Sequence, residues 1–516
     1  MSISRREFIQ RAGSVSGLAL TLPGAMTAVP FDASPADAAF RPDLMPTIDD
    51  VWDWQVWMAK LGPKYTGNAA HTKFVDFLDT KLRASGLEVA RDRFTLPLWE
   101  VRGWGLKSKA GDGRWTEVPT TGYYPYSGRT SKDGVTAPLV HIGTVAPPAP
   151  GTPWQLPSGV DGKIVLADVP LSPTPYAQWW KPWGFHTPDT SFPEHAINGT
   201  WSIRVPAVGE AKAAGVRGVI FAHASISDEH AALLYAPFGR AYQDMPTLWV
   251  GRAAGAELRK IAERHGEVSL RLEAETFPDT PTHTLIATLP GTSTDEVIIV
   301  NTHTDGNNAT EENGGLGALA LAQYFAKLPK SARNRTMVFV LVTGHFAGAY
   351  VPAIRGVIQQ HPELIKKAVG ALTVEHLGCR EWADDASMHY RATGRNELTL
   401  VITEYESTAK IILSSFDGTG DNRAAVVIPT PTGTFNGEGG ALSRAGVPTI
   451  GYIPIPSYLL AGPSNGCIEK LSKPFLYQQL QVLAKAVHRM DRMPADELKG
   501  RGRLTADKVT TASSAR

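Results

Sequence analysis

Cysteine is almost absent, with only Cys379 and Cys467 in a chain of 516 residues. So few thiols exclude a disulfide framework and a cysteine-rich zinc site, and leave at most one bridge. An excess of charge is lacking too: 51 Lys and Arg stand against 50 Asp and Glu, a net of +1. Neither a basic tail nor a nucleic-acid-binding surface has support, so no nucleic-acid partner is expected. Beyond the amino terminus no stretch approaches the ~18 consecutive apolar residues of a spanning helix, and no membrane span is expected in the mature protein. What is present is a globular composition. With 43% hydrophobic and 20% charged residues there is enough apolar surface to bury a core, which excludes wholesale disorder. A chain this long divides into two or three units, or one large domain carrying an insertion.

Residues 1–38 read as an address. Arg5 and Arg6 in SRREFIQ precede Phe8, the weakly apolar GLALTLPGAM follows, and Ala36-Asp37-Ala38 has the small-residue pattern of a cleavage site. This order resembles a twin-arginine export signal, which implies a periplasmic or extracellular mature protein. Further on, VWDWQVWMAKLG and HTKFVDFLDTKLRASG repeat their apolar residues at three and four, the spacing of amphipathic helices, before the strand LEVARDRFT. Between about Trp104 and Thr200 the chain is rich in Gly, Pro and Trp with short strands, two strand-and-helix repeats follow, and residues 111–279 are read as an inserted β-rich domain. The main domain is assigned to 41–110 and 280–495, where strands alternate with helices in the manner of an α/β sheet sandwiched by helices. The tail, 496–516, has few apolar residues and is expected to be disordered.

The chemistry is concentrated at strand ends. VIIV runs into NTHTDG, which sets His303 and Asp305 on one side past the end of the strand. MVFVLVT ends in Gly344 and His345, and AVGALTV ends in Glu375 and His376. The carboxyl ends of strands in an open α/β sheet form one rim where ligands bind, so three successive endings with metal-capable side chains predict a shared site. Glu311 and Glu312 lie between the first strand and the next helix, and approach the same rim. His and carboxylate are zinc ligands, and a catalytic zinc keeps about three protein ligands and a water. His303, Glu311, His345 and Glu375 are the predicted set, with Asp305 orienting His303 from behind.

At these residues the chain resembles the co-catalytic zinc exopeptidases, the superfamily of bacterial leucyl aminopeptidases, glutamate carboxypeptidase and the transferrin receptor. GKIVLADV, AKAAGVRGVIFAHA and MPTLWVG in the insert resemble a protease-associated domain. The resemblance implies a zinc-exopeptidase-like mixed sheet sandwiched by helices, and hydrolysis of a peptide or small amide substrate. His303 and Asp305 keep the family's His-x-Asp; its bridging Asp falls on Glu311, its general base on Gly344, the following zinc ligand on His345, and the Asp of the second zinc on Glu375. The final zinc-binding His, due near Tyr458 to Leu460, is missing, and the family's Ser-Asp-His segment has become Gly437-Glu438-Gly439. One zinc ion is therefore expected rather than two. With the usual base gone, Glu312, His376 or a metal-bound carboxylate is left to accept the proton. Asn436, Glu438 and Tyr458 are candidate substrate-binding residues. Two other readings stand beside a metal-dependent amide hydrolase: a non-catalytic binding protein on the same scaffold, and a hydrolase of esters, lactones or glycosides.

Overall fold

The computed structural model describes residues 40–109, 111–145, 153–171, 174–187, 196–197, 203–420, 423–500 and 502–506. The export signal, 1–38, lies outside them. Helices α1 (Ile48–Lys60) and α2 (Ala69–Ala84) open the chain, the first held by a capping box between Thr47 and Asp50 and the second capped by Asn68. Next comes the long strand β1 (Glu88–Lys109), followed by the strands of the insert, β2 (Val135–Thr144), β3 (Ile164–Val169), β4 (Gly218–His223) and β5 (Thr247–Val250), and helix α3 (Arg252–Glu263). Strand β6 (Glu267–Leu289) then pairs antiparallel with β1 along nearly its whole length. It belongs to both halves of the molecule, pairing with β2 of the insert at one end and the main sheet at the other.

The main domain continues with β7 (Ser293–His303), α4 (Gly314–Lys327), β8 (Arg335–Val342), β9 (Ala368–Val374), β10 (Thr399–Ile402), α5 (Glu406–Ser415), β11 (Ala424–Pro429), α6 (Gly439–Arg444), β12 (Thr449–Pro454) and α7 (Lys473–Arg492). Its sheet runs in the order β6-β8-β7-β9-β12-β10-β11 and is mixed. The four neighbours β8, β7, β9 and β12 are parallel. Parallel strands covered on both faces must be apolar throughout, and every residue of β8 and of β9 is buried. Helix α4 is buried on nearly all sides, which suits its Ala- and Leu-rich sequence. Its first residue has no room for a side chain: a Cβ on Gly314 would stand 2.0 Å from the Val374 carbonyl oxygen. Glycine there lets the loop before α4 close onto the end of β9.

The tail departs from expectation. A short helix, α8 (Ala495–Lys499), buries Leu498, and Leu504 N–H donates to the Glu404 carbonyl at 2.6 Å. One buried leucine anchors a segment whose average composition reads as unstructured. Residues 507–516 lie outside the described ones.

Candidate metal centre

Register brings the strand ends together. His303 pairs with Val342 across β7 and β8, and Asn301 with Thr373 across β7 and β9, so the segments beginning three residues beyond Val342 and two beyond Thr373 leave the sheet on either side of His303. Consecutive strand residues point to opposite faces. Glu375 and His376 escape that alternation because His376 has φ +55, a left-handed turn that returns its ring to the same cavity as its neighbour. Such a conformation costs a non-glycine residue of the order of 1–3 kcal/mol and is characteristic of functional sites.

The imidazoles are fixed by their outer nitrogens. His303 Nδ1 donates to the Asp305 carbonyl at 2.8 Å, and His376 Nδ1 to the Pro454 carbonyl at 2.7 Å. A carbonyl only accepts, so both neutral rings carry their proton on Nδ1 and turn a lone pair on Nε2 inward. Neither Nε2 has a hydrogen-bond partner, nor does Glu311 Oε2, though all three are buried. His345 stacks on His303 with ring centroids 4.0 Å apart and donates from Nδ1 to Glu438 Oε1 at 2.9 Å. Its Nε2 is 3.7 Å from Glu311 Oε1, while His376 Nε2 is 3.5 Å from Glu311 Oε2 and 3.8 Å from Glu375 Oε2.

Two overlapping donor sets result, His303 with Glu311 and His345, and His303 with Glu375 and His376, each with its ligand atoms within 4.8 Å of one another. Bonds of ~2.1 Å in a tetrahedral zinc site space the donors about 3.4 Å apart. The orphaned inward lone pairs and the two carboxylates therefore fit a zinc ion. Protonation states carry the same signature. Burial, with the neighbouring carboxylates, pushes Glu311 up to about 8 and Glu375 up to about 7. Burial pushes His303 down to about 4, with the charge of His345 adding to it, and His376 well below its ordinary value. For His345 burial is outweighed by the Glu438 hydrogen bond and charge, with Glu311 and Glu375 adding, and its pKa rises to about 10.

The remaining candidate residues fall into distinct places. The Asp305 carboxylate does not touch His303: Oδ2 accepts from Thr66 Oγ1 at 2.5 Å and Phe346 N–H at 2.8 Å, and it is the main-chain carbonyl that orients the imidazole. Glu312 is turned away from the site, with Lys64 Nζ 2.5 Å from its Oε1 and both side chains fully buried. Glu438 accepts from His345 and from Ile354 N–H, and so backs the metal cluster rather than the substrate. Tyr458 is buried, its hydroxyl directed at the Arg380 and Lys470 carbonyls, away from the cavity. An aromatic ring in a Pro-rich loop here serves packing. Asn436 does line the cavity. Gly344 has φ +102, and a Cβ would stand 2.6 Å from the Val351 side chain, so the position has room only for glycine. Cys379 and Cys467 are both free thiols.

The cluster forms one wall of a cavity of about 470 Å³, with Glu311, His345, Glu375 and His376 facing Phe238, Arg240 and Arg204 from the insert, and Ile453, Ile455 and Leu459 closing the side. Residues from the insert were not foreseen here. Their only local cue is that the segment Tyr235 to Arg240 is rich in aromatic, proline and glycine residues.

No protein-family model and no curated protein matches the chain. Solved structures do. It is similar to a zinc aminopeptidase from Bacillus subtilis, at 17% identity and a TM-score of 0.61, over 87% of this chain and 98% of that one. A peptidase M28 precursor from Shewanella amazonensis matches at 17% identity and 0.60 over the same shares, and an aminopeptidase from Aneurinibacillus at 14% and 0.56, over 87% and 95%. The fold is that of the M28 zinc aminopeptidases, a mixed α/β sheet flanked by helices.

Proposed function

We propose that the protein is an exported metal-dependent hydrolase of amide or peptide bonds, with one zinc ion held by His303, Glu311, His345 and Glu375. The observation that carries this reading is the pair of buried donor sets that share His303, one with Glu311 and His345 and one with Glu375 and His376, in which His303 Nε2, His376 Nε2 and Glu311 Oε2 have no hydrogen-bond partner. Burying polar atoms without partners costs free energy, and a cation repays it. The fold shared with zinc aminopeptidases supports the metal and the reaction class. Export rests on the twin-arginine pattern of residues 1–38, and the parallel strands β2 to β5 with α3 support a protease-associated-like insert over 111–279.

Zinc in this position supplies acidification of water and polarisation of the scissile carbonyl. The chain's own groups supply the rest. His376, neutral at pH 7, presents a lone pair to the cavity and accepts the proton of the attacking water; Glu311 and Glu375, 3.5 and 3.8 Å away, stabilise the imidazolium that forms. The water's oxygen ends on the carbonyl carbon, the C–N bond breaks, and His376 returns the proton to the leaving nitrogen. Glu438 fixes His345, and the Asp305 carbonyl fixes His303. The test is metal content and amidase activity of the full mature chain beside H376A and H303A variants. H303A should lose both; H376A should keep zinc and lose at least about 100-fold in kcat. A protein with less than about a tenth of a zinc per chain after reconstitution overturns the reading.

A further inference from the structure

Asn436 is the one side-chain amide among the described residues lining the 470 Å³ cavity. The loop that carries it, residues 430–438 between β11 and α6, is pinned at several points. The Trp180 indole N–H donates to the Thr434 carbonyl at 2.9 Å. Phe435 is buried in a core cluster with Trp180, Ile402 and Ile453. Glu438 N–H donates to Glu375 Oε1 at 2.9 Å, while its carboxylate holds His345. Between these anchors a Cβ on Gly437 would stand 2.5 and 2.9 Å from the two Glu375 oxygens, which measures how closely the loop presses on that carboxylate. Asn436 is the next residue along, one peptide unit of ~3.8 Å away.

The amide is oriented as well as placed. Thr434 Oγ1 donates to Asn436 Oδ1, which ties the oxygen back to the loop and leaves both Nδ2 protons without an acceptor among the described residues. A half-buried amide held in this way offers donors to the cavity and no acceptor. Hydrolysis of an amide builds negative charge on the scissile carbonyl oxygen, here beside the Glu311 and Glu375 carboxylates. Donors fixed in advance stabilise that charge best, because they cost no reorganisation when it appears. The imidazoles are committed elsewhere: His345 and His376 donate from Nδ1 to Glu438 and Pro454, and their inward nitrogens serve the metal and the water in the mechanism above. We propose that the Asn436 side-chain amide donates to the scissile carbonyl oxygen and holds the oxyanion of the tetrahedral intermediate, with Thr434 as its positioning residue; this rests on the hydrolase reading above. When the C–N bond breaks, the electron pair on that oxygen re-forms the carbonyl, and Asn436 neither gains nor loses a proton. A hydrogen bond that strengthens as charge develops raises kcat and leaves KM nearly unchanged.

The experiment is steady-state kinetics of the zinc-reconstituted full mature chain on leucyl-, alanyl- and N-acetyl-leucyl-p-nitroanilide, with zinc content measured for every variant. Removing one donor to an oxyanion costs about 100- to 1000-fold in kcat. N436A should show that loss with little change in KM and with full zinc content. N436D, the same shape with a carboxylate in place of the amide, should fall below N436A, which a space-filling role would not produce. T434V should lose about 3- to 10-fold and T434S should match the wild type. A direct readout is the infrared stretch of an isotope-labelled scissile carbonyl bound to zinc-loaded H376A, where removing Asn436 should move the band to higher wavenumber. An unchanged kcat in N436A, a loss carried wholly by KM, or an unmoved band overturns the proposal. If the zinc-loaded wild type cuts none of the probes, the hydrolase reading fails by itself. The band of the bound probe in wild type against N436A then decides the contact: a shift upholds it, and no shift sinks it as well.

Discussion

His345 is gripped at both ends, by Glu438 at Nδ1 and by the Glu311 side of the cluster at Nε2. Partners that orient a metal-bound imidazole are typically worth 10–100-fold in metal affinity. The E438Q variant should weaken zinc binding by that factor, read by competition with a chromophoric chelator, with the circular dichroism spectrum unchanged. Unaltered affinity would mean that Glu438 does not support His345. The same cluster sets a pH response in the metal-free protein. Glu311, at about 8 when folded, binds a proton that the unfolded chain releases near ~4.3, and His345, at about 10, holds one that the unfolded chain releases near ~6.5. Between pH 6.5 and 8 the folded state therefore holds more protons than the unfolded one, and stability falls as pH rises. His303, at about 4, acts in the opposite sense only between about 4 and 6.5, and Lys64, pulled down by burial to about 7, offsets part of the fall above pH 7 without reversing it. The Tm of chelator-treated protein should drop from pH 6.5 to 8, and excess zinc should raise it most at pH 8. A flat or rising profile without metal would contradict these protonation states.

Between α1 and α2, residues 61–68 act as a clamp on the loop after β7. Lys64 and Gly306 exchange main-chain hydrogen bonds of 2.7 and 3.0 Å, and the Lys64 ammonium is buried against Glu312, beside the Glu311 of the cluster. Removing one partner of a buried ion pair costs about 3–5 kcal/mol because the other charge is left stranded. K64M should lose about that much by urea denaturation, and K64M/E312L should regain most of it; a double variant no better than the single would show that the pair is not the cause. The end of β8 makes a second demand. Gly344, at φ +102 and packed on Val351, should resist replacement, with G344A costing about 1–3 kcal/mol in the same assay. The strand endings His303, His345 and Glu375 were legible in the sequence because apolar runs fix strand position and parallel pairing fixes which ends meet. Lys64 with Glu312 and His345 with Glu438 were not, being 248 and 93 residues apart and brought together only by packing. Tyr458 and Leu498 misled for a related reason, since neither an aromatic in a loop nor one leucine in a polar tail reveals from its neighbours whether it will be buried.

Across the whole molecule the insert is not an appendage. One core cluster mixes Tyr124, Phe221 and Trp249 of the insert with Phe346, Tyr458 and Leu460 of the main domain. A shared core implies a single cooperative unfolding transition by scanning calorimetry of the mature chain, and two resolved peaks would refute it. The arginines on the insert side are invisible to any reading of the metal motifs alone, because nothing near them in sequence carries ligands. Strand β6 supplies the link: at ~3.3 Å per residue its 23 residues form a beam roughly 75 Å long that both lobes are built on. A girder common to both lobes would let this scaffold diversify what it grips by exchanging fingertips on the far side while the strand ends stay in place.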